Sequence, residues 1–162
     1  DCSDDASTTR EQMIRLSRMA DYGVVVMTFM ACRHHETQTS HQVAEGTGLS
    51  EATVGKLLKV FARENLLNSH RGAHGGYELM RKPEDITVAE IVEAVEGPIA
   101  LTLCVDDHPG SCDVEALCPM RGGWNQINSA LREAFEGVSL AAMAFPALAP
   151  LTELAEPVRA KQ

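Results

Sequence analysis

Apolar residues recur at helical spacing through residues 16–33, with Leu16, Met19, Val24, Met27 and Met30 or Ala31 on one side. The β-branched run Val24-Val25-Val26 suits a strand, but the length of the segment and its lack of turn residues favour a buried helix. Two shorter helices are predicted over residues 40–66, around Gly48. Residues 67–82 read as a small hairpin, because the apolar stretches Leu66-Leu67 and Tyr77-Glu78-Leu79 flank the Gly-dense Arg71-Gly72-Ala73-His74-Gly75-Gly76. A helix over 87–97 stops at Gly97-Pro98. A loop rich in Cys, Asp, Gly and Pro follows over 98–123, and a last helix runs from about Trp124 to Met143. The polar residues 1–12 and the Ala/Pro-rich residues 144–162 read as flexible tails, with Met13 as the start of the folded unit. The expected fold is mainly α with a small β-hairpin wing. A winged helix-turn-helix occupies 13–82, a linking helix and cysteine loop 83–123, and a long dimerisation helix 124–143.

The segment from Ser40 to Leu58 has the local chemistry of a helix-turn-helix. Ala44 supplies the small residue where two helices cross closely, and Gly48, four positions later, suits a left-handed turn. Ser50 is a natural N-cap for the second helix, whose Val54, Leu57, Leu58 and Phe61 are spaced to face inward. Its first turn then presents Glu51, Thr53 and Lys56 outward, toward a DNA major groove. An αα-hairpin of an all-α bundle is the plainer reading, and the hairpin at 67–82 argues against it. A hairpin placed there is a wing, and its tip exposes Arg71 and His74 to a minor groove. Lys59, Arg63, Arg81 and Lys82 are candidate phosphate contacts, giving affinity rather than sequence preference. Gly55 inside the recognition helix costs roughly 1 kcal/mol against Ala.

Charge at first opposes this picture, since the chain of 162 residues carries a net charge of −9. The distribution resolves the conflict. Residues 13–82 hold nine Lys/Arg and six Asp/Glu, whereas residues 83–162 hold four and thirteen. A modestly basic module beside an acidic one fits DNA contact through one face. The apolar run from Tyr22 to Cys32 is too short to span a bilayer, and the acidic N-terminus lacks the apolar region of a secretory signal. A cytoplasmic protein with reduced cysteines is expected, and one without a membrane partner. No nucleophile–base pair or phosphate-binding glycine loop stands out, which argues against an enzyme.

Cys104, Cys112 and Cys118 share one polar loop, with seven and five residues between them. Zinc sites use closer Cys pairs, and none is present here. The longer spacings suit an iron–sulfur cluster held by thiolates. A zinc-bearing or thiol-redox protein without a cluster stays open as the alternative. Cys32 reads as a core residue of the first helix, and Cys2 lies in the tail. Trp124, Ile127, Leu131, Phe135 and Val138 form an apolar stripe at three- and four-residue steps along the last helix, a plausible dimer seam.

Taken in order, these parts resemble the IscR/NsrR/RirA family of winged-helix iron–sulfur regulators. The resemblance rests on the start from Ile14 to Gly23, the helix-turn-helix, the wing from Arg71 to Tyr77, the helix from Thr87 to Val95 and the three-cysteine loop. The start is most similar to members that regulate the SUF cluster-assembly system. The resemblance implies a homodimeric, DNA-binding transcription regulator, in the main a repressor, that senses iron–sulfur, iron, oxygen or nitric oxide status. Its cluster ligands would be Cys104, Cys112 and Cys118. Some members use a His three residues after the last cysteine, and here that residue is Arg121. Others use an Asp of the first helix from the other subunit, and the matching residue is Asp21. Three cysteines and a carboxylate favour a 4Fe–4S over a 2Fe–2S cluster. An acidic residue at the start of a helix also suits the helix dipole without any ligand role. A twofold dimer places two recognition helices about 34–36 Å apart, matching a palindromic operator.

Overall fold

The computed structural model describes residues 15–72, 75–102, 105 and 121–145. The chain forms α1 (Arg18–Ala31), α2 (Ser40–Thr47), α3 (Glu51–Arg63), β1 (Leu67–His70), β2 (Gly76–Leu79), α4 (Val88–Glu96), α5 (Arg121–Glu136) and α6 (Leu140–Ala144). A single 3-10 turn, Pro83–Asp85, separates β2 from α4. The expected mainly helical fold with a small hairpin is the observed one.

Each of the first helices begins where a side chain can satisfy its free amides. Ser17 accepts from the Ala20 amide, Thr39 from Gln42 and Ser50 from Thr53. Thr39–Gln42 and Thr87–Glu90 are reciprocal capping boxes. α2 ends at Gly48, whose φ of 72° lies in the left-handed region and whose amide returns to the Ala44 carbonyl. α3 ends in the same way at Asn65, with φ 58°. The Leu66 amide there bonds the Phe61 carbonyl at 2.9 Å, and both side chains are buried.

The core gathers Met27 and Met30 of α1, Val43 of α2, Val54, Leu57, Leu58 and Phe61 of α3, Ile86, Ile91 of α4 and Leu140 of α6. β1 and β2 pair antiparallel, with Leu67 opposite Leu79 and His70 opposite Gly76. A third edge, absent from the sequence pattern, completes the wing. Gln38, before α2, exchanges both backbone hydrogen bonds with Tyr77 at 2.8 Å. The wing is thereby tied to the start of the helix-turn-helix.

Three expectations are corrected. The single helix predicted over 124–143 is two helices, because Gly137 ends α5 and Ser139 caps α6. The turn bridges to α4: the Val88 amide bonds the Val138 carbonyl at 2.9 Å, and the Leu140 amide bonds Ile86 at 2.7 Å. Leu140 is thus drawn fully into the core, and α6 closes over α1. Cys32 is exposed rather than buried, since the inward face of α1 finishes at Met30 and Ala31. Leu16 and Met19 are exposed too: the chain enters α1 outside the core, where the Ser17 amide bonds the Glu96 carboxylate at 2.9 Å.

Arg81, considered above for phosphate contact, is exposed but engaged within the chain. It donates to the Asp85 carbonyl at 2.7 Å and to Glu90 at 2.5 Å. Burial pushes the Glu90 carboxyl up, but the Thr87 amide and the Arg81 guanidinium outweigh it and hold the carboxyl below its ordinary value.

Two glycines have opposite expected effects. A Cβ at position 55 meets no atom within 4 Å, so Gly55→Ala should stabilise the fold by roughly 1 kcal/mol through helix propensity. A Cβ at position 76 would lie 2.6 Å from the Gln38 carbonyl oxygen, so Gly76→Ala should destabilise by on the order of 1–3 kcal/mol. Urea unfolding followed by circular dichroism measures both. Because the Glu90 carboxyl is held low in the fold, its contribution is present above the ordinary carboxylate pKa and lost as pH falls through the lowered value. An Arg81→Met variant should therefore lose less stability than the parent between pH 5 and pH 3, on the order of a few tenths of a kcal/mol for so exposed a pair.

Candidate nucleic-acid interface

α3 divides cleanly into two faces. Val54, Leu57, Leu58 and Phe61 are fully buried, and Lys56, Lys59 and Arg63 follow one another along the exposed side. Ser50 and Glu51 are exposed at the start of the helix, and Thr53 is half-buried. The Ser50 and Thr53 hydroxyls lie 2.8 Å apart, which fixes both at the first turn. The candidate residues Ser50, Glu51, Thr53, Lys56 and Lys59 thus share one helix, with its positive end at the first two. Arg63 instead leans on the neighbouring Glu64 at 2.9 Å.

Arg71 is exposed directly after β1, at the edge of the wing tip. His74 lies outside the described residues. The wing strands carry a pair the sequence did not suggest: His70 Nε2 and Glu78 Oε1 are 2.8 Å apart across the hairpin. The hydrogen bond from His70 holds the exposed Glu78 carboxyl below its ordinary value, with smaller help from Asn68 and Thr37. One face of the wing is so braced beside Arg71.

Asp21 is exposed in the first turn of α1, away from the core. Cys104, Cys112 and Cys118 lie outside the described residues, as does the side chain of Arg121. The ends of their loop are described. Asn128 of α5 accepts from the Leu101 amide at 3.1 Å and donates to the Ile99 carbonyl at 2.9 Å. The chain entering the cysteine loop is therefore clasped to the same helix on which the loop terminates. Among the described residues no three His, Cys, Asp or Glu side chains converge as a metal site, and no helix is long and apolar enough to cross a membrane.

A recognition helix packed on two supporting helices, with a braced hairpin beside it, defines a winged helix-turn-helix DNA-binding protein. The chain belongs to the Rrf2 family, described as iron-dependent transcriptional regulators, which it matches over residues 16–145. It is 30% identical to the HTH-type transcriptional regulator CymR of Bacillus subtilis over 129 residues, covering 78% of this chain and 87% of that one. The solved structure of CymR, titled the global cysteine regulator of B. subtilis, superposes with a TM-score of 0.64 at 27% identity, over 81% of this chain and 96% of that one. That of T. potens IscR gives 0.62 at 27% identity, over 92% and 93%. These relatives are regulators, and the family assignment is one of transcriptional regulation rather than catalysis.

The Gln38 edge, the Asn128 clasp and the His70–Glu78 pair escaped sequence reasoning. Capping boxes at Thr39 and Thr87 were legible as Thr-x-x-Gln and Thr-x-x-Glu, but the long-range bonds carry no local pattern. Replacing His70 by Ala should return the Glu78 titration toward the ordinary carboxylate range, read by NMR of its side-chain carboxyl. Since Glu78 is held low, its support of the wing is present above the ordinary carboxylate pKa and lost as pH falls through the lowered value.

Proposed function

We propose that this protein is a homodimeric repressor that binds a palindromic operator and adjusts that binding to an iron–sulfur cluster. The recognition helix with its wing carries the first half of the reading. Ser50, Glu51, Thr53 and Lys56 face the major groove, Lys59 holds phosphate, and Arg71 and His74 reach from the wing. Family membership supports this use of the helix.

The dimer is supported by apolar surface that one subunit leaves uncovered. On α5, Ile127 is 51% and Trp124 38% exposed, with Leu131 and Phe135 half-buried along the same stripe. Leu16, just before α1, and Met19 and Val25 of α1 are further exposed apolar residues. Exposed apolar side chains of this size along one helix fit the seam of a second copy.

Cys104, Cys112 and Cys118, with Asp21 of the partner subunit, would hold the cluster. The donor set suits it: three thiolates on one loop, and a carboxylate exposed on α1. When bound, the cluster supplies iron–thiolate bonds that iron supply, oxygen or nitric oxide alters, and three thiolates with one carboxylate favour four irons. The chain's own part is mechanical. The clasp of Asn128 on residues 99–101 passes the order of the loop to α5, and the packing of α4 and α1 passes it to α3. The spacing of two recognition helices, and with it DNA affinity, then follows the loop.

Anaerobic purification tests the cofactor. Brown protein with iron and sulfide, both lost in Cys112→Ala, is expected; colourless protein with stoichiometric zinc would establish the zinc alternative. Ile127→Asp should convert a dimer to a monomer in analytical ultracentrifugation, and an unchanged dimer would reject the α5 seam. Lys56→Ala should weaken binding to all sequences alike and lower the slope of log K against log salt by about 1.

A further inference from the structure

Glu51 is out of place on a DNA-facing surface. Duplex DNA carries a phosphate charge about every 1.7 Å, and a carboxylate set into its groove is repelled unless it gains a hydrogen bond. Yet Glu51 is the first residue of α3, where a recognition helix presents side chains to base edges. It is also held. Ser40 Oγ donates to its Oε1 at 3.4 Å, and His41 Nδ1 lies 3.6 Å from its Oε2. Both partners sit in the first turn of α2, eleven and ten residues away in sequence, and all three residues are open to solvent on at least one side. The Ser40 hydroxyl, as donor, and the His41 ring, at ion-pair range, flank the carboxylate across the notch between the two helix starts. Such a side chain loses less freedom when it meets a base than an unrestrained one.

From this geometry we infer that Glu51 reads a cytosine in each half-site, with Ser40 and His41 as positioning residues. An ionised carboxylate only accepts hydrogen bonds. In the major groove guanine offers two acceptors, thymine an acceptor and a methyl group, and adenine a donor beside its own N7 acceptor. Cytosine N4 is a donor with no acceptor on its own base edge, so it alone relieves the carboxylate without a second repulsion. The repulsion itself becomes the discriminating element, because guanine and thymine offer Glu51 no donor and adenine sets its N7 acceptor beside the donor it offers. This inference rests on the proposed DNA-binding reading and adds the base that is read.

Selection from a double-stranded oligonucleotide pool with randomised half-sites tests it, using the full chain in loaded and apo forms. The wild-type protein should enrich a palindrome with a fixed C·G pair in each half-site, preferred over T·A by about 10-fold. Glu51→Ala should keep the rest of the consensus, lose preference at that one pair and bind mismatched sites more tightly than wild type does. The Ser40→Ala/His41→Ala double variant should reduce the preference several-fold at the same pair only, a position-specific change that loss of fold does not produce; melting curves check the fold of each variant. If Glu51→Ala enriches the same C·G pair as wild type, the cytosine reading is wrong and the regulator reading stands. If the wild-type protein enriches no sequence in either form, both fall.

Discussion

Three helices meet at Gly23, and the rest of the molecule depends on how closely they do so. A Cβ at that position would lie 3.1 Å from the Phe61 ring of α3, 3.2 Å from Val95 of α4 and 3.7 Å from Leu57. With no side chain there, α3 and α4 close directly over α1. The recognition helix, the helix leading to the cysteine loop and the helix that carries the exposed Asp21 therefore pack around one point.

The same packing is braced at its edges by polar contacts between segments distant in sequence. Gln38 pairs with Tyr77 and ties the wing to the entrance of α2, while Arg81 ties the wing exit to Glu90 of α4. Ser139 and Leu140 return the chain from α5 to Ile86 and Thr87. α5 is thus anchored at its C-terminal end by α6 and clasped near its middle by Asn128, with its apolar stripe still uncovered. In the proposed dimer that stripe is where two copies join.

Electrostatics follow the same division. The acidic surplus lies after residue 83, and the exposed Lys56 and Lys59 lie on α3. Exposed ion pairs such as Arg132 with Glu136 at 2.8 Å contribute little each, so charge placement here concerns partner and approach rather than stability. Glu51 stands against the trend of its helix, and Ser40 and His41 of α2 flank its carboxylate.

The sequence by itself determined the elements whose causes are local. Gly48 ends α2 because only its own backbone need turn left-handed, Ser50 caps α3 two residues on, and Val54, Leu57, Leu58 and Phe61 repeat at the helical period. The wing was legible for the same reason, as glycines between two apolar stretches. The tertiary structure alone decided the contacts that join residues far apart. Gln38 to Tyr77, Ser40 and His41 to Glu51, and Leu101 to Asn128 obey no period that neighbouring residues could announce. It also decided that the predicted last helix breaks at Gly137, because the burial of Leu140 against Ile86 outweighs helical continuity. Cys32 shows the limit from the other side: its apolar neighbours promised a core position, and the end of α1, one residue earlier, left it in solvent.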